Sequence, residues 1–179
     1  YAGRLVPYKG LWLVLKAIGQ SPLLRKCKLR LAGDGPEMSK LQKLAAELGI
    51  SSALQWLGQV SQDELSLEMR KAQCFVFASL REFGGAVVLE AMACGLPCIV
   101  VNYGGPAELV DPDCGILLPL VGEEKLAPAL RKSMERMVKT PELCVRFAAN
   151  TAKKRFVLNL PGRKKQIKLY RFMKRFLTK

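Results

Sequence analysis

Short apolar runs alternate along this chain with longer stretches whose apolar positions recur every three or four residues. The runs at 29–32, 54–57, 74–78, 98–101 and 116–118 are each bounded by Gly, Pro, Ser or Asp, the pattern of short buried strands. Helical period covers roughly 10–18, 36–48, 62–71, 85–94 and 106–110. In the second of these, Leu41, Leu44, Ala45 and Leu48 share one face. Helix starts are marked by Pro36 after Asp34-Gly35 and by Ser61 with Glu64 three residues on, a capping box. Strands that are apolar throughout belong to a sheet covered on both faces, and strand–helix alternation makes that sheet parallel with right-handed crossovers. The expected fold class is α/β, a Rossmann-like doubly wound parallel sheet flanked by helices. After Pro119 the strand pattern stops. Residues 123–138 and 142–155 read as two further helices, and Leu160-Pro161-Gly162 breaks the chain before a last one.

Charge sharpens the division. The 29 Lys and Arg against 15 Asp and Glu give a net charge of +14. Residues 1–150 carry 18 basic and 15 acidic side chains, whereas 151–179 carry 11 basic and no acidic ones. A near-neutral domain over 1–160 is thus followed by a basic segment over 161–179. The chain has no histidine, which excludes Ser-His-Asp and Cys-His nucleophiles, HExxH zinc sites and histidine bases. Its six cysteines include no CxxC pair and several sit in apolar runs, as buried free thiols of a reducing compartment do. No apolar run approaches the roughly 20 residues needed to span a bilayer, and no signal peptide is visible, so a cytoplasmic location is expected. A chain opening on Tyr1-Ala2-Gly3-Arg4 without Met reads as a piece of a longer one.

In a doubly wound sheet, ligands bind beyond the C-terminal ends of the strands. Four Gly-containing loops occupy such positions. Ser79 to Gly85 runs from a strand into the helix carrying Glu90, and its paired glycines let backbone approach a ligand whose anionic part the helix N-terminus favours. Glu82 and Glu90 flank that turn. Carboxylates beside an anion site suggest a ligand that carries hydroxyls as well as phosphate. In Gly3 to Gly10, Arg4 and Lys9 bracket a Pro-containing loop and suit a diphosphate. The glycines of Gly33-Asp34-Gly35-Pro36 and of Asn102-Tyr103-Gly104-Gly105-Pro106 are explained by turn geometry, with a part in binding open for either. Gln59 and Val60 follow another strand at the same rim.

Taken in order, these segments resemble the C-terminal, donor-binding half of a GT-B fold retaining glycosyltransferase, most similar to glycosyltransferase family 4. The resemblance rests on Gly3-Arg4…Lys9-Gly10, Ala32-Gly33-Asp34-Gly35-Pro36, Gly58-Gln59-Val60-Ser61, Glu82-Phe83-Gly84…Leu89-Glu90-Ala91-Met92-Ala93-Cys94-Gly95-Leu96-Pro97 and Gly104-Gly105-Pro106-Ala107-Glu108. It implies a nucleoside-diphosphate sugar as donor substrate and a glycan or lipid-linked acceptor bound through an N-terminal domain outside these residues. Such a fragment would bind donor without transferring sugar by itself. Arg4 and Lys9 would hold the diphosphate, and Gly33 would lie at the donor. Glu82, the first Glu of the family's E-x7-E motif, would be the catalytic carboxylate on donor-sugar hydroxyls. The backbone of Phe83, Gly84 and Gly85 would approach sugar and phosphate, Glu90 would hold the ribose, and Gln59 and Val60 would lie near the base. No cofactor or metal is implied, because Arg, Lys and a helix N-terminus stabilise the departing diphosphate, which itself takes the acceptor's proton. Where the family often has Glu-Gly-Phe-Gly, this chain has Glu82-Phe83-Gly84-Gly85.

The basic segment is amphipathic at helical spacing. Leu169, Phe172, Met173 and Phe176 share one side, while Lys164, Lys168, Arg171 and Arg175 follow another. The basic side suits an anionic membrane surface at roughly 1 kcal/mol per residue, and the apolar side suits an interdomain contact. Two other readings stay open: a GT-B sugar-nucleotide epimerase, which generally needs other carboxylates and His, and a nucleic-acid module. Against the latter, the cations alternate with aliphatics rather than exposed aromatics, so no nucleic-acid partner is expected.

Overall fold

The computed structural model describes residues 1–157, of which 152–157 are described as helical backbone only. The amphipathic helix expected over 161–179, with its membrane or interdomain contact, lies outside the described residues. Strands and helices alternate in the order α1 (Leu11–Gly19), β1 (Leu29–Ala32), α2 (Met38–Glu47), β2 (Leu54–Gly58), α3 (Gln62–Arg70), β3 (Phe75–Phe77), α4 (Ala86–Ala93), β4 (Cys98–Val101), α5 (Gly104–Leu109), β5 (Gly115–Leu118), α6 (Glu123–Lys139) and α7 (Pro141–Val157). Every described ladder is parallel: β1 pairs with β2, and β4 lies between β3 and β5. Helix α1 packs against α2 and α6, α4 packs against α3, α5 and α7, and α6 also touches α7. This is the expected doubly wound α/β arrangement.

The single sheet expected from sequence is laid down as two ladders joined by the first residues of the chain. Ala2 bridges Ala32 in parallel, and the Ala32 N–H donates to the Tyr1 carbonyl at 3.0 Å. On the other side the Tyr1 ring packs 6.1 Å from that of Phe77 on β3. Among the described residues no ladder links β1 to β3. A largely apolar cavity of about 620 Å³ opens in this gap, lined by Tyr1, Leu29, Cys74, Phe75, Ile99 and Met137 among others. It lies towards the strand ends opposite the Gly-rich loops, and Arg4, Lys9, Glu82 and Glu90 are not part of it. Its lining includes Lys28, Arg30, Glu68 and Lys71 but no residue of the Gly-rich loops.

Burial follows strand position. The central β4 is wholly buried, whereas β2, with a ladder partner on one side, exposes Gln55. Helix α1 buries Leu11, Leu13, Val14, Leu15, Ala17 and Ile18, so it is enclosed on most sides rather than half-solvated. Each such Leu or Ile contributes about 1.5–3 kcal/mol of transfer free energy. The capping box of α3 forms as read: the Glu64 N–H donates to Ser61 Oγ at 3.3 Å, and the Ser61 N–H donates to Glu64 Oε2 at 2.8 Å. Such a cap stabilises a helix by about 1 kcal/mol.

Two helix starts differ from the sequence pattern. Helix α2 begins at Met38 instead of 36 because the Glu37 N–H donates to the Leu5 carbonyl at 3.1 Å, holding 35–37 as a turn against the opening segment. Helix α5 begins at Gly104, two residues early, and Pro106 falls in its first turn, where a missing N–H costs no intrahelical bond. All six cysteines are free thiols; Cys98 and Cys114 are buried, and burial pushes the Cys74 thiol up to about 12. No helix among the described residues is long and apolar enough to cross a membrane.

Candidate functional site

The C-terminal ends of the parallel strands gather the Gly-rich loops on one rim. The segment after Ala2 bends into the turn Pro7–Lys9, closed by Gly10, whose N–H donates to the Pro7 carbonyl at 3.1 Å. This turn is stitched to the loop after β3: the Leu80 N–H donates to the Tyr8 carbonyl at 2.8 Å, and the buried Ser79 donates its hydroxyl to the Arg81 carbonyl at 3.1 Å. Gly10 has φ +66°, and a Cβ there would stand 2.1 Å from the Ala78 carbonyl oxygen. Only glycine lets the two loops lie this close.

That closeness brings Lys9 and Glu82, 73 residues apart, into an ion pair between Lys9 Nζ and Glu82 Oε2. Both side chains are mostly buried, and the ammonium also sits 5.2 Å from the centre of the Phe77 ring. The other carboxylate oxygen of Glu82 accepts the Gly85 N–H at 3.4 Å. Partial burial pushes this carboxyl up, but the hydrogen bond and charge of Lys9, with the backbone N–H groups of Gly85 and Gly84, outweigh it and hold it below its ordinary range. Glu82 is therefore a carboxylate at neutral pH.

Gly85 is the N-cap of α4 in the left-handed region, with no side-chain cap, so the opening N–H groups of the helix face the loop without a side-chain partner. Their partial positive charge favours an anion. Phe83, between Glu82 and Gly84, is 86% exposed. Arg4 is exposed on the neighbouring loop and makes no ion pair among the described residues. Glu90 lies on α4, half-buried. Desolvation raises its carboxyl above the ordinary range, and a hydrogen bond with the Gln62 side chain offsets this only in part.

The remaining candidates differ in what they have free. The Gly33 N–H donates to the Gly58 carbonyl at 2.7 Å, so that donor is used within the fold. Gln59 is exposed at the end of β2, while Val60 packs partly into the core. Among the described residues no group of three or more Cys, Asp or Glu is placed to hold a metal ion.

Sequence patterning missed one part of the site, the support beneath the Glu82 loop. The Gly105 N–H donates to the Phe83 carbonyl at 3.0 Å, and Gly104 lies directly against the Glu82 carbonyl. The segment 102–106 is thus more than a turn: it is the platform on which Glu82-Phe83-Gly84 rests. The paired glycines were the available signal, but their partner is distant in sequence.

Residues 1–154 match the family described as glycosyl transferases group 1. The D-inositol 3-phosphate glycosyltransferase of Streptomyces bingchenggensis is 36% identical over 130 residues, covering 66% of this chain and 29% of that protein. The chain spans between 28% and 33% of the length of the first such curated relatives. Among solved structures, Anabaena Alr3699/HepE in complex with UDP has a TM-score of 0.68 at 26% identity, over 84% of this chain and 42% of that one. The catalytic domain of the cholesterol-alpha-glucosyltransferase from Helicobacter pylori has a TM-score of 0.78 at 21% identity, over 89% and 96% respectively, a likeness of fold alone.

Proposed function

This chain belongs to the group 1 glycosyl transferases and has the Rossmann-like α/β architecture of one half of a GT-B fold, and from that premise we propose that it is the donor-binding domain of a retaining glycosyltransferase. The observation that carries this reading is the convergence of Lys9, Glu82, the glycine loop and the uncapped start of α4 on one rim, beside the exposed Arg4. A nucleoside-diphosphate sugar is the ligand that needs all of them. Its diphosphate takes Arg4, Lys9 and the helix N–H groups, its sugar hydroxyls donate to Glu82, and its ribose hydroxyls donate to Glu90. Gln59 and Val60, with the turn at Gly33, border the base. The solved Anabaena protein carries UDP, which supports a nucleotide ligand for this architecture.

In the transfer itself, charge accumulates on the departing diphosphate. Arg4, Lys9 and the start of α4 meet that charge with fixed positive groups, so little reorganisation accompanies bond breaking. The diphosphate oxygen on the same face takes the acceptor's proton, which is how a retaining reaction proceeds without a histidine. The acceptor, a glycan or lipid-linked sugar, belongs to the whole protein and is bound outside the described rim. Transfer is accordingly a property of the longer relatives' architecture, and donor binding is the property of this chain.

Arg4→Ala tests the diphosphate assignment. Loss of an exposed, charge-assisted contact is expected to weaken a nucleoside diphosphate about tenfold and to leave the corresponding bare nucleoside unchanged, read by calorimetric titration. Equal losses for both ligands would rule out a phosphate contact at Arg4.

A further inference from the structure

The Lys9–Glu82 pair joins two residues that the donor reading gives to different parts of the ligand. Without ligand each satisfies the other, and both are largely withdrawn from water. A nucleoside diphosphate that takes Lys9 removes the cation from Glu82 and places a second anion beside a carboxylate that keeps only the backbone N–H groups near Gly85. An intact sugar nucleotide removes the same cation but supplies hydroxyl donors in its place. The two ligands therefore differ in whether they leave a mostly buried carboxylate without a counter-group, and a buried group stripped of its partner bears the full desolvation cost.

Resting on the donor reading above, we infer that the Lys9–Glu82 pair makes this site select the intact sugar nucleotide over the nucleoside diphosphate that remains after transfer. Glu82 is then a specificity-determining carboxylate: it rewards a ligand that carries the sugar and works against retention of the spent one. The local structure favours this division. Glu82 is positioned by the platform at 104–105 and by the Gly85 N–H, independently of Lys9, so opening the ion pair leaves the carboxylate where it stands.

The test titrates wild type, Glu82→Gln and Glu82→Asp with UDP, GDP and ADP and with the matching glucose nucleotides. Gln keeps the size and an acceptor for the Gly85 N–H but removes the charge. Glu82→Gln is expected to bind the nucleoside diphosphate about fivefold more tightly than wild type and the sugar nucleotide about tenfold more weakly. Asp keeps the charge, so Glu82→Asp should show no tightening toward the nucleoside diphosphate. The inference is overturned alone if wild type binds both ligands and Glu82→Gln weakens both alike or leaves the nucleoside diphosphate unchanged. It is also overturned if Glu82→Asp tightens that ligand as much as Gln does. Wild type that binds none of the six nucleotides overturns the donor reading itself. Circular dichroism of each variant shows that a loss is not unfolding.

Discussion

Gly104→Ala is expected to cost on the order of 100-fold in sugar-nucleotide affinity although Gly104 need not touch the ligand. Its φ is +59°, a region where a residue with a Cβ loses roughly 1–2 kcal/mol. The steric demand is larger still. A Cβ at this position would stand 1.8 Å from the Glu82 carbonyl oxygen and 3.0 Å from the carbonyl carbon. Both are backbone atoms, so no rotamer change relieves the overlap, and one of the two loops must move. The loop after β3 is the one that yields, because α5 is fastened to the buried β4 directly before it. Displacing Glu82 by an ångström separates it from Lys9 and carries Phe83 and Gly84 with it. Denaturant titration should show a destabilisation of about 1–3 kcal/mol, and calorimetry the disproportionate loss of binding. A variant that binds donor like wild type would mean that 102–106 does not support the site.

Glu90→Gln is expected to act in opposite directions on stability and on binding. Burial raises the folded-state pKa of Glu90 despite the Gln62 hydrogen bond, so the folded protein binds this proton more tightly than the unfolded chain does. The stabilisation from a raised carboxyl is complete below the ordinary carboxylate range and is lost as pH rises through the folded value. At neutral pH the fold thus carries an ionised, half-buried carboxylate at a cost. Removing the charge should raise Tm at pH 7, and the gain should disappear in acid, where wild-type Glu90 is protonated. On the donor reading proposed above, the same substitution would remove a charged acceptor from the ribose, worth about 1.5–3 kcal/mol, so nucleoside affinity should fall roughly 10- to 100-fold. Wild-type affinity should fall likewise as pH drops through the raised value. Thermal melts and nucleoside titrations at pH 4.5 and 7 check both halves, and a Tm at pH 7 that stays level or falls in the variant would contradict the role of burial.

Much of this architecture was legible because it is written in local pattern. Apolar runs such as Cys98–Val101 are strands in the structure at the bounds read from sequence, and Ser61 with Glu64 caps α3 as their spacing implies. The gathering of the Gly-rich loops on one rim followed from topology, since strand ends in a parallel sheet share a side. What could not be read is long-range. Nothing local says that Lys9 meets Glu82, or that Gly104 lies under the Glu82 carbonyl rather than closing its own turn. Residues 36 and 37 likewise read as the start of a helix but form a turn, because the partner of Glu37, the Leu5 carbonyl, lies in another segment. Positions whose residue type is dictated by a backbone neighbour far along the chain look, in sequence, like ordinary turn residues.

At one end of the strands, two loops carry an ammonium and a carboxylate into contact and a third lies against them. Whether that end binds a sugar nucleotide is most directly measured by calorimetric titration of the folded chain with UDP-, GDP- and ADP-glucose. Saturable heat is predicted for at least one of them, with the matching bare nucleoside far weaker. Absence of heat from all three, with the chain shown to be folded, would contradict it.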